Sequence, residues 1–285
     1  MIENNKSISA PVNKIIPLSS VDGPGARTTI FMQRCNISCL YCHNPETQRL
    51  CINCGICVEH CPSGALSLVA GKVVWDEEKC SQCDTCIKVC PHFSTPKTYE
   101  MTAAETFEKI RPNLGFIRGI TVSGGECSLY PEFLTELFIL AKNENLTCLM
   151  DSSGMNYLAR YPELIENIDG VMLDVKAWEQ PTYQVLTRSS SNNTVKKNLA
   201  FLAEKNLLTE IRIVNVPDYV DAANTIAGIA GVIGDKIAEV PLKLISFRNN
   251  GVKGILANHR SPTTLEMAEL KEHALSIGFK KVMVV

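Results

Sequence analysis

No apolar run in this 285-residue chain approaches the ~20 residues that a membrane-spanning helix needs. Neither sign of charge is in excess: 28 Lys and Arg stand against 30 Asp and Glu, for a formal net charge of −2. That excludes a global basic field for holding nucleic acid, though not a local patch. The first residues, MIENNKSISAPVNK, are polar and lack the apolar stretch of a secretory signal. These absences predict a cytoplasmic protein with no membrane and no nucleic-acid partner. In that compartment thiols stay reduced, so the 13 cysteines do not read as a disulfide framework. Metal ligation is the physical alternative, and spacing decides it.

All the cysteines except Cys127 and Cys148 lie between Cys35 and Cys90. The two outliers are expected to be buried, inert thiols. Around the dense segment, short apolar runs alternate with helical patterns. The strand candidates are Thr28–Gln33, Gly119–Ser123, Thr147–Asp151, Gly170–Lys176, Thr209–Val216 and Pro241–Phe247. The helix candidates are Thr102–Arg111, Glu132–Lys142, Tyr157–Ile165, Asn192–Glu204, Ala222–Ile233 and Thr264–Ile277. This rhythm predicts an α/β fold of parallel strands covered by helices, a partial or full barrel. Residues 51–96 break the rhythm and carry almost no strand or helix signal. They read as an inserted module between a first barrel part (1–50) and the remainder (97–285).

The insert holds a near-repeat, CINCGICVEHCP from Cys51 and CSQCDTCIKVCP from Cys80. Each run has the spacing C-x2-C-x2-C-x3-C-P of bacterial ferredoxins, in which the fourth cysteine of a run ligates the other cluster. The expected ligand sets are therefore Cys51, Cys54, Cys57 and Cys90 for one [4Fe–4S] cluster, and Cys80, Cys83, Cys86 and Cys61 for a second. A pair of zinc ribbons is the plain structural alternative, but eight cysteines in two matched runs of four are an odd way to build one.

Cys35, Cys39 and Cys42 form a third group, CNISCLYC, with spacing C-x3-C-x2-C and no evident fourth ligand. Three thiolates on a [4Fe–4S] cluster leave one iron open, and an open coordination position is where a substrate binds a metal. The group follows the first predicted strand, at the C-terminal strand ends where α/β barrels carry their chemistry. A structural zinc completed by His43, or stray thiols, is the bland alternative.

With SVDGPGAR (Ser20–Arg27), the cysteine loop, SGGE (Ser123–Glu126), DSSG (Asp151–Gly154) and DVK (Asp174–Lys176) in this order, the chain resembles the radical S-adenosylmethionine superfamily. Within it, the chain is similar to the activating enzymes of glycyl radical enzymes, and to the YjjW-type subgroup with a two-cluster ferredoxin insert. The resemblance implies a radical SAM partial (β/α)6 barrel, three [4Fe–4S] clusters and bound S-adenosylmethionine. It implies that Tyr41 and His43 touch the adenine, and that Gly124, Gly125 and Glu126 receive the amino group. Lys176, next to Val175, meets the carboxylate, with Arg212 a candidate for the same end, and Asp151 and Asp174 help hold a monovalent cation. It further implies a glycyl radical enzyme as protein partner, received by a loop containing Asp22, Gly23 and Gly25, and a low-potential electron donor such as flavodoxin or ferredoxin. Two positions depart from the family: Cys127 stands where Pro often follows the GGE, and Arg248 stands where a cofactor-contacting His is usual.

The expected reaction is reductive cleavage of S-adenosylmethionine to methionine and a 5′-deoxyadenosyl radical, which takes a hydrogen from a backbone glycine of the partner. One competing reading keeps the chemistry but acts on a small molecule. Another, of a different class, is a ferredoxin-type electron-transfer protein, which leaves the long βα region after Pro96 without a role.

Overall fold

The computed structural model describes residues 8–285; the start of the polar N-terminal stretch lies outside them. The strands are β1 (Ser9–Ser19), β2 (Arg27–Met32), β3 (Leu66–Val69), β4 (Lys72–Trp75), β5 (Tyr99–Thr102), β6 (Gly119–Gly124), β7 (Thr147–Ser152), β8 (Gly170–Asp174), β9 (Leu208–Asn215), β10 (Leu242–Ser246) and β11 (Val282–Val284). The helices are α1 (Ile56–Glu59), α2 (Thr85–Val89), α3 (Ala103–Ile110), α4 (Pro131–Asn143), α5 (Pro162–Asn167), α6 (Gln180–Thr187), α7 (Asn193–Glu204), α8 (Ala222–Ile233) and α9 (Thr264–Ile277).

One sheet runs β11-β10-β9-β8-β7-β6-β2-β1-β5. From β2 to β11 each neighbouring pair is parallel, and β1 and β5 close the other edge antiparallel. The expected βα series is thus present as an open sheet, extended at both ends. β1 is absent from the sequence reading because Pro11 and Pro17 and two register shifts spoil its alternation. β5 and β11 are too short to show a period, and α6 also goes unseen. Tyr157–Arg160 forms a turn, so α5 starts later than expected, at Pro162.

The pleat sorts each strand into two faces. Ile30, Val122, Met150, Leu173, Ile211 and Leu244 are at most 1% exposed and pack with Phe138, Leu199 and Ile226 of the helices in one core. Fully burying such side chains contributes about 1.5–3 kcal/mol each. The alternate positions carry most of the polar side chains, Thr29, Thr121, Ser123, Asp151, Asp174, Glu210, Arg212 and Lys243, with apolar residues such as Leu149 and Met172 among them. The inner wall of the sheet is therefore built for chemistry and the outer wall for cohesion.

Residues 51–96 are more ordered than their sequence suggests. They fold as α1, the antiparallel hairpin β3–β4 and α2, around Cys57, Leu66 and Cys86. The near-repeat is also a backbone repeat. Asn53 and Gly55 of the first run and Gln82 and Asp84 of the second all have positive φ, at equivalent positions. Left-handed residues curl each cysteine run back on itself, and Asp84, a costlier choice than Gly, is tied by Lys97 at 2.6 Å.

Candidate active site

The segment after β2 is positioned by its backbone. Arg34 and Cys35 donate N–H bonds to the carbonyls of Thr47 and Gln48, and Ser38 and Leu40 donate to those of Thr187 and Leu186 at the end of α6. The buried Gln33 amide donates to the carbonyls of Glu46 and Arg49. A loop with no sheet partner is thereby held by donors and acceptors on both flanks. Gly124 and Gly125 bring the end of β6 against this loop. A Cβ on Gly125 would come within 2.1 Å of the Arg34 carbonyl oxygen, and one on Gly124 within 2.3 Å of the Met32 backbone. The close approach that these glycines permit is to the chain itself.

The result is one cavity of about 220 Å3 at the C-terminal strand ends. Its walls bring together Cys35, Cys39, Cys42, Tyr41, His43, Gly124, Gly125, Asp151, Asp174 and Lys176. Ser123, Ser152, Ser153 and Gln48 line it too; the serines stand inside the SGGE and DSSG motifs without a role read from them, whereas Gln48 belongs to no motif.

Other expected residues stand elsewhere. Glu126 is 1% exposed and does not line the cavity. Its carboxylate accepts from the backbone N–H of Ser128 and Ser153 and from the hydroxyls of Ser128, Ser152 and Ser153. It ties the end of β6 to the end of β7 rather than presenting itself to an amino group. Val175 packs in the core. Arg212 stands on the same inner wall but does not line the cavity, donating to Asp151 at 2.9 Å and to Glu210 at 2.6 Å, and Lys243 continues the row at 3.1 Å from Glu210. Arg248 is exposed, but its loop abuts His43: the His43 and Phe247 rings meet edge-on at 6.2 Å, and a Cβ on Gly251 would lie 2.4 Å from the His43 carbonyl oxygen. Asp22, Gly23 and Gly25 sit at the opposite, N-terminal ends of the strands. There the Asp22 carboxylate accepts from Ser19 and Thr29, and its carbonyl accepts from Thr121, so the loop floors the inner wall. Cys127 and Cys148 are fully buried, as expected.

The cavity is electrostatically balanced. Asp174 contacts Lys176 at 2.5 Å, and Asp151 is paired with Arg212. Both carboxylates thus already have a protein cation, which leaves the expected monovalent cation no charge deficit to answer. Burial works against the Lys176 charge, but Asp174, Tyr41 and Cys39 together more than reverse this and hold its pKa well up. Burial pushes the Asp151 carboxyl up to about 6, against the pull of Arg212. The folded chain therefore holds this proton more tightly than the unfolded chain does. The associated stability is present at low pH and is lost as pH rises through about 6. Lowering the pH from 7 to 5 should accordingly raise the melting temperature of the wild type relative to Asp151→Asn, which a scan of both proteins across that range would check.

Burial raises all three loop thiols, Cys39 to about 12. Left alone, such thiols keep their protons, and ligation to a cationic centre is what favours the thiolate. Among the described residues no three His, Cys, Asp or Glu side chains converge as a ready-made site for a single ion. A cubane asks for something else, because its thiolates bind separate irons at separate corners. Three thiols around one cavity, beside the buried Tyr41 hydroxyl that has no hydrogen-bond partner, fit a sulfur-rich group of that kind. In the insert, Cys51, Cys54, Cys57, Cys86 and Cys90 line one cavity, and Cys61, Cys80, Cys83 and Cys86 line another, so Cys86 is shared by the two.

The family described as the Radical SAM superfamily matches residues 29–226, more than half of the chain. The chain belongs to the radical SAM superfamily. Its relatives specify the kind. A Haemophilus influenzae protein provisionally named as a glycyl-radical enzyme activating enzyme is 27% identical over 98% of this chain and 97% of its own length. The (2S)-3-sulfopropanediol dehydratase activating enzyme of Klebsiella oxytoca is 30% identical over 81% of this chain and 79% of its own length. These comparisons support a radical SAM enzyme that activates glycyl radical enzymes over the competing readings. Among solved structures, QueE from Escherichia coli superposes with a TM-score of 0.54 at 10% identity, covering 97% of this chain and 94% of that one, which is a likeness of fold.

Proposed function

We propose that this chain binds S-adenosylmethionine in the 220 Å3 cavity and directs the resulting radical at a backbone glycine of a partner glycyl radical enzyme. One observation carries the site assignment: three thiols, Asp151, Asp174 and Lys176 share a single cavity at the C-terminal strand ends. When bound, the [4Fe–4S] cluster supplies the electron that splits the sulfonium into methionine and the 5′-deoxyadenosyl radical. Everything else is orientation and exclusion of water by the protein. Lys176, fixed by Asp174, meets the cofactor carboxylate. Asp151, braced by Arg212, keeps Ser123 in place through a 3.0 Å hydrogen bond. Tyr41 and His43 form the aromatic side against which the adenine lies. Glu126 acts at one remove, by fixing Ser152 and Ser153.

The insert reads as a ferredoxin-like module with two further clusters, as in the YjjW-type subgroup. Three observations favour the Cys51, Cys54, Cys57 and Cys90 set as the inner one. Cys51 follows Gln48, which lines the active cavity, by three residues, so at most about 11 Å of extended chain separates their Cα atoms. Lys253 donates to the carbonyls of Ile87 at 2.7 Å and Cys90 at 3.4 Å. The same Lys253 lines a small cavity shared with Cys39 and Cys42. The set of Cys61, Cys80, Cys83 and Cys86 is then the outer one, with Cys83 exposed, where an external low-potential donor such as flavodoxin or ferredoxin would meet it.

The test is to mix the anaerobically reconstituted chain, reductant and S-adenosylmethionine with a candidate glycyl radical enzyme and record EPR. A glycyl doublet with matching 5′-deoxyadenosine is the expected outcome. Deoxyadenosine without a doublet across the glycyl radical enzymes of the host would favour a small-molecule substrate instead.

A further inference from the structure

Residues 51–96 are tied to the chain beyond β5 by the hydrogen bonds of one side chain, Lys253. Its ammonium donates to the carbonyl of Ile87 at 2.7 Å and to that of Cys90 at 3.4 Å, across 166 and 163 residues of sequence. Among the described residues no other hydrogen bond crosses this boundary. The acceptors suit a cation. α2 is five residues long, and the carbonyls of its last turn have no partner within the helix, so a lysine reaching its C-terminal end supplies the missing donor. The barrel fixes the other end of this side chain. Val252 and Leu256, on either side of Lys253, are 7% and 0% exposed and pack in the main core. Gly251 takes a φ of +79° and backs onto the carbonyl of His43, the residue after Cys42. Lys253 also lines a cavity of about 40 Å3 together with Cys39 and Cys42, and its ammonium stands 5.8 Å from the Phe93 ring centroid. The side chain thus holds the insert at Cys90 while its backbone is seated beside the loop of the other cysteine group.

We propose that Lys253 is a positioning residue for electron delivery, latching the Cys90 end of the insert against the Cys39 and Cys42 side of the active cavity. The inference rests on the reading that both cysteine groups hold clusters, and deepens it. One electron taken from a low-potential donor at the insert has to cross this junction to reach the centre of Cys35, Cys39 and Cys42. Electron transfer slows steeply as the gap between two centres widens. Without the lysine the insert keeps its two chain connections and the bond from the Arg49 N–H to the Phe93 carbonyl, but no charged hydrogen bond sets the gap.

The experiment compares reconstituted wild type with Lys253→Met, which keeps an apolar stem and removes the donors, and Lys253→Arg, which restores donors. In Lys253→Met, amide hydrogen exchange across residues 85–93 should quicken about three- to tenfold, the scale of one hydrogen bond, while exchange in β6 to β9 stays as in the wild type. The rate at which reduced flavodoxin generates the EPR signal that responds to S-adenosylmethionine should fall. Formation of 5′-deoxyadenosine with dithionite, which needs no relay, should equal the wild-type value. Lys253→Arg should recover both the exchange and the flavodoxin rate. Equal flavodoxin rates in Lys253→Met and wild type overturn the proposal. So does an equal loss with flavodoxin and with dithionite, which would give Lys253 a role in the active cavity itself. A lower iron content in Lys253→Met also overturns it, since the lysine would then hold the insert together rather than place it. A wild type that binds about four irons per chain instead of about twelve would overturn the reading of the insert itself.

Discussion

Replacing Cys39 with alanine should reduce 5′-deoxyadenosine formation to background while leaving the chain folded. Cys39 is one of three thiols around the active cavity, and a cubane has no spare protein ligand there. The loop itself does not depend on the side chain, because Ser38 and Leu40 on either side keep their bonds to Thr187 and Leu186. If the proposed insert clusters are present, reconstituted iron should fall by about four atoms per chain out of about twelve. The companion variant Cys83→Ala changes an exposed cysteine of the proposed outer set. It should also lose about four irons, yet retain deoxyadenosine formation when a chemical reductant bypasses the relay. Turnover by Cys39→Ala would sink the assignment of the active cavity.

Glu126→Gln should be the most destabilising conservative change at the site. Five donors from Ser128, Ser152 and Ser153 point at this buried carboxylate. A glutamine turns one acceptor into an NH2 group that faces donors, leaving at least one hydrogen unmatched in the interior. The cost should be about 3–5 kcal/mol, the scale for breaking a buried charged network by altering one partner, and a large part of the 5–15 kcal/mol by which domains are usually stable. Chemical denaturation of the cluster-free protein measures it directly. If stability is unchanged but affinity for S-adenosylmethionine falls, the carboxylate is a ligand contact after all and its placement behind the wall is misleading.

That Cys35, Cys39 and Cys42 share one cavity was legible in the sequence because their spacing is a covalent constraint that tertiary packing cannot override. The βα series was legible because parallel strands buried on one face read as apolar runs flanked by helical periods. The limits are equally physical. β1 escaped notice because two prolines and two bulges mask its alternation. Order in the insert escaped notice because its core rests on cysteines, which count little as hydrophobic pattern. Glu126 and Arg212 were placed by motif and strand position at the cofactor, whereas their hydrogen bonds make them props for Ser153 and Asp151. Periodicity tells which face a side chain is on, not whether a nearer partner has already claimed it. The cavity serines stand within SGGE and DSSG, yet their contact with the cavity is not legible, since a serine beside a carboxylate carries no signal of its own role.

The division of labour between the two faces of the sheet has a consequence for how such a protein can diversify. The apolar contacts that hold strands to helices lie behind the strands, so the wall that meets a substrate can be rewritten without touching them. Ser123 and Lys243, neither of them fully buried, can change size or charge at the expense only of local polar bonds. Arg27 is the exception: it is 1% exposed, with its guanidinium donating to Thr121, Ile120 and Thr147 across three strands. A library that varies the inner wall above it and spares this arginine should yield mostly folded proteins, giving evolution and the engineer the same latitude.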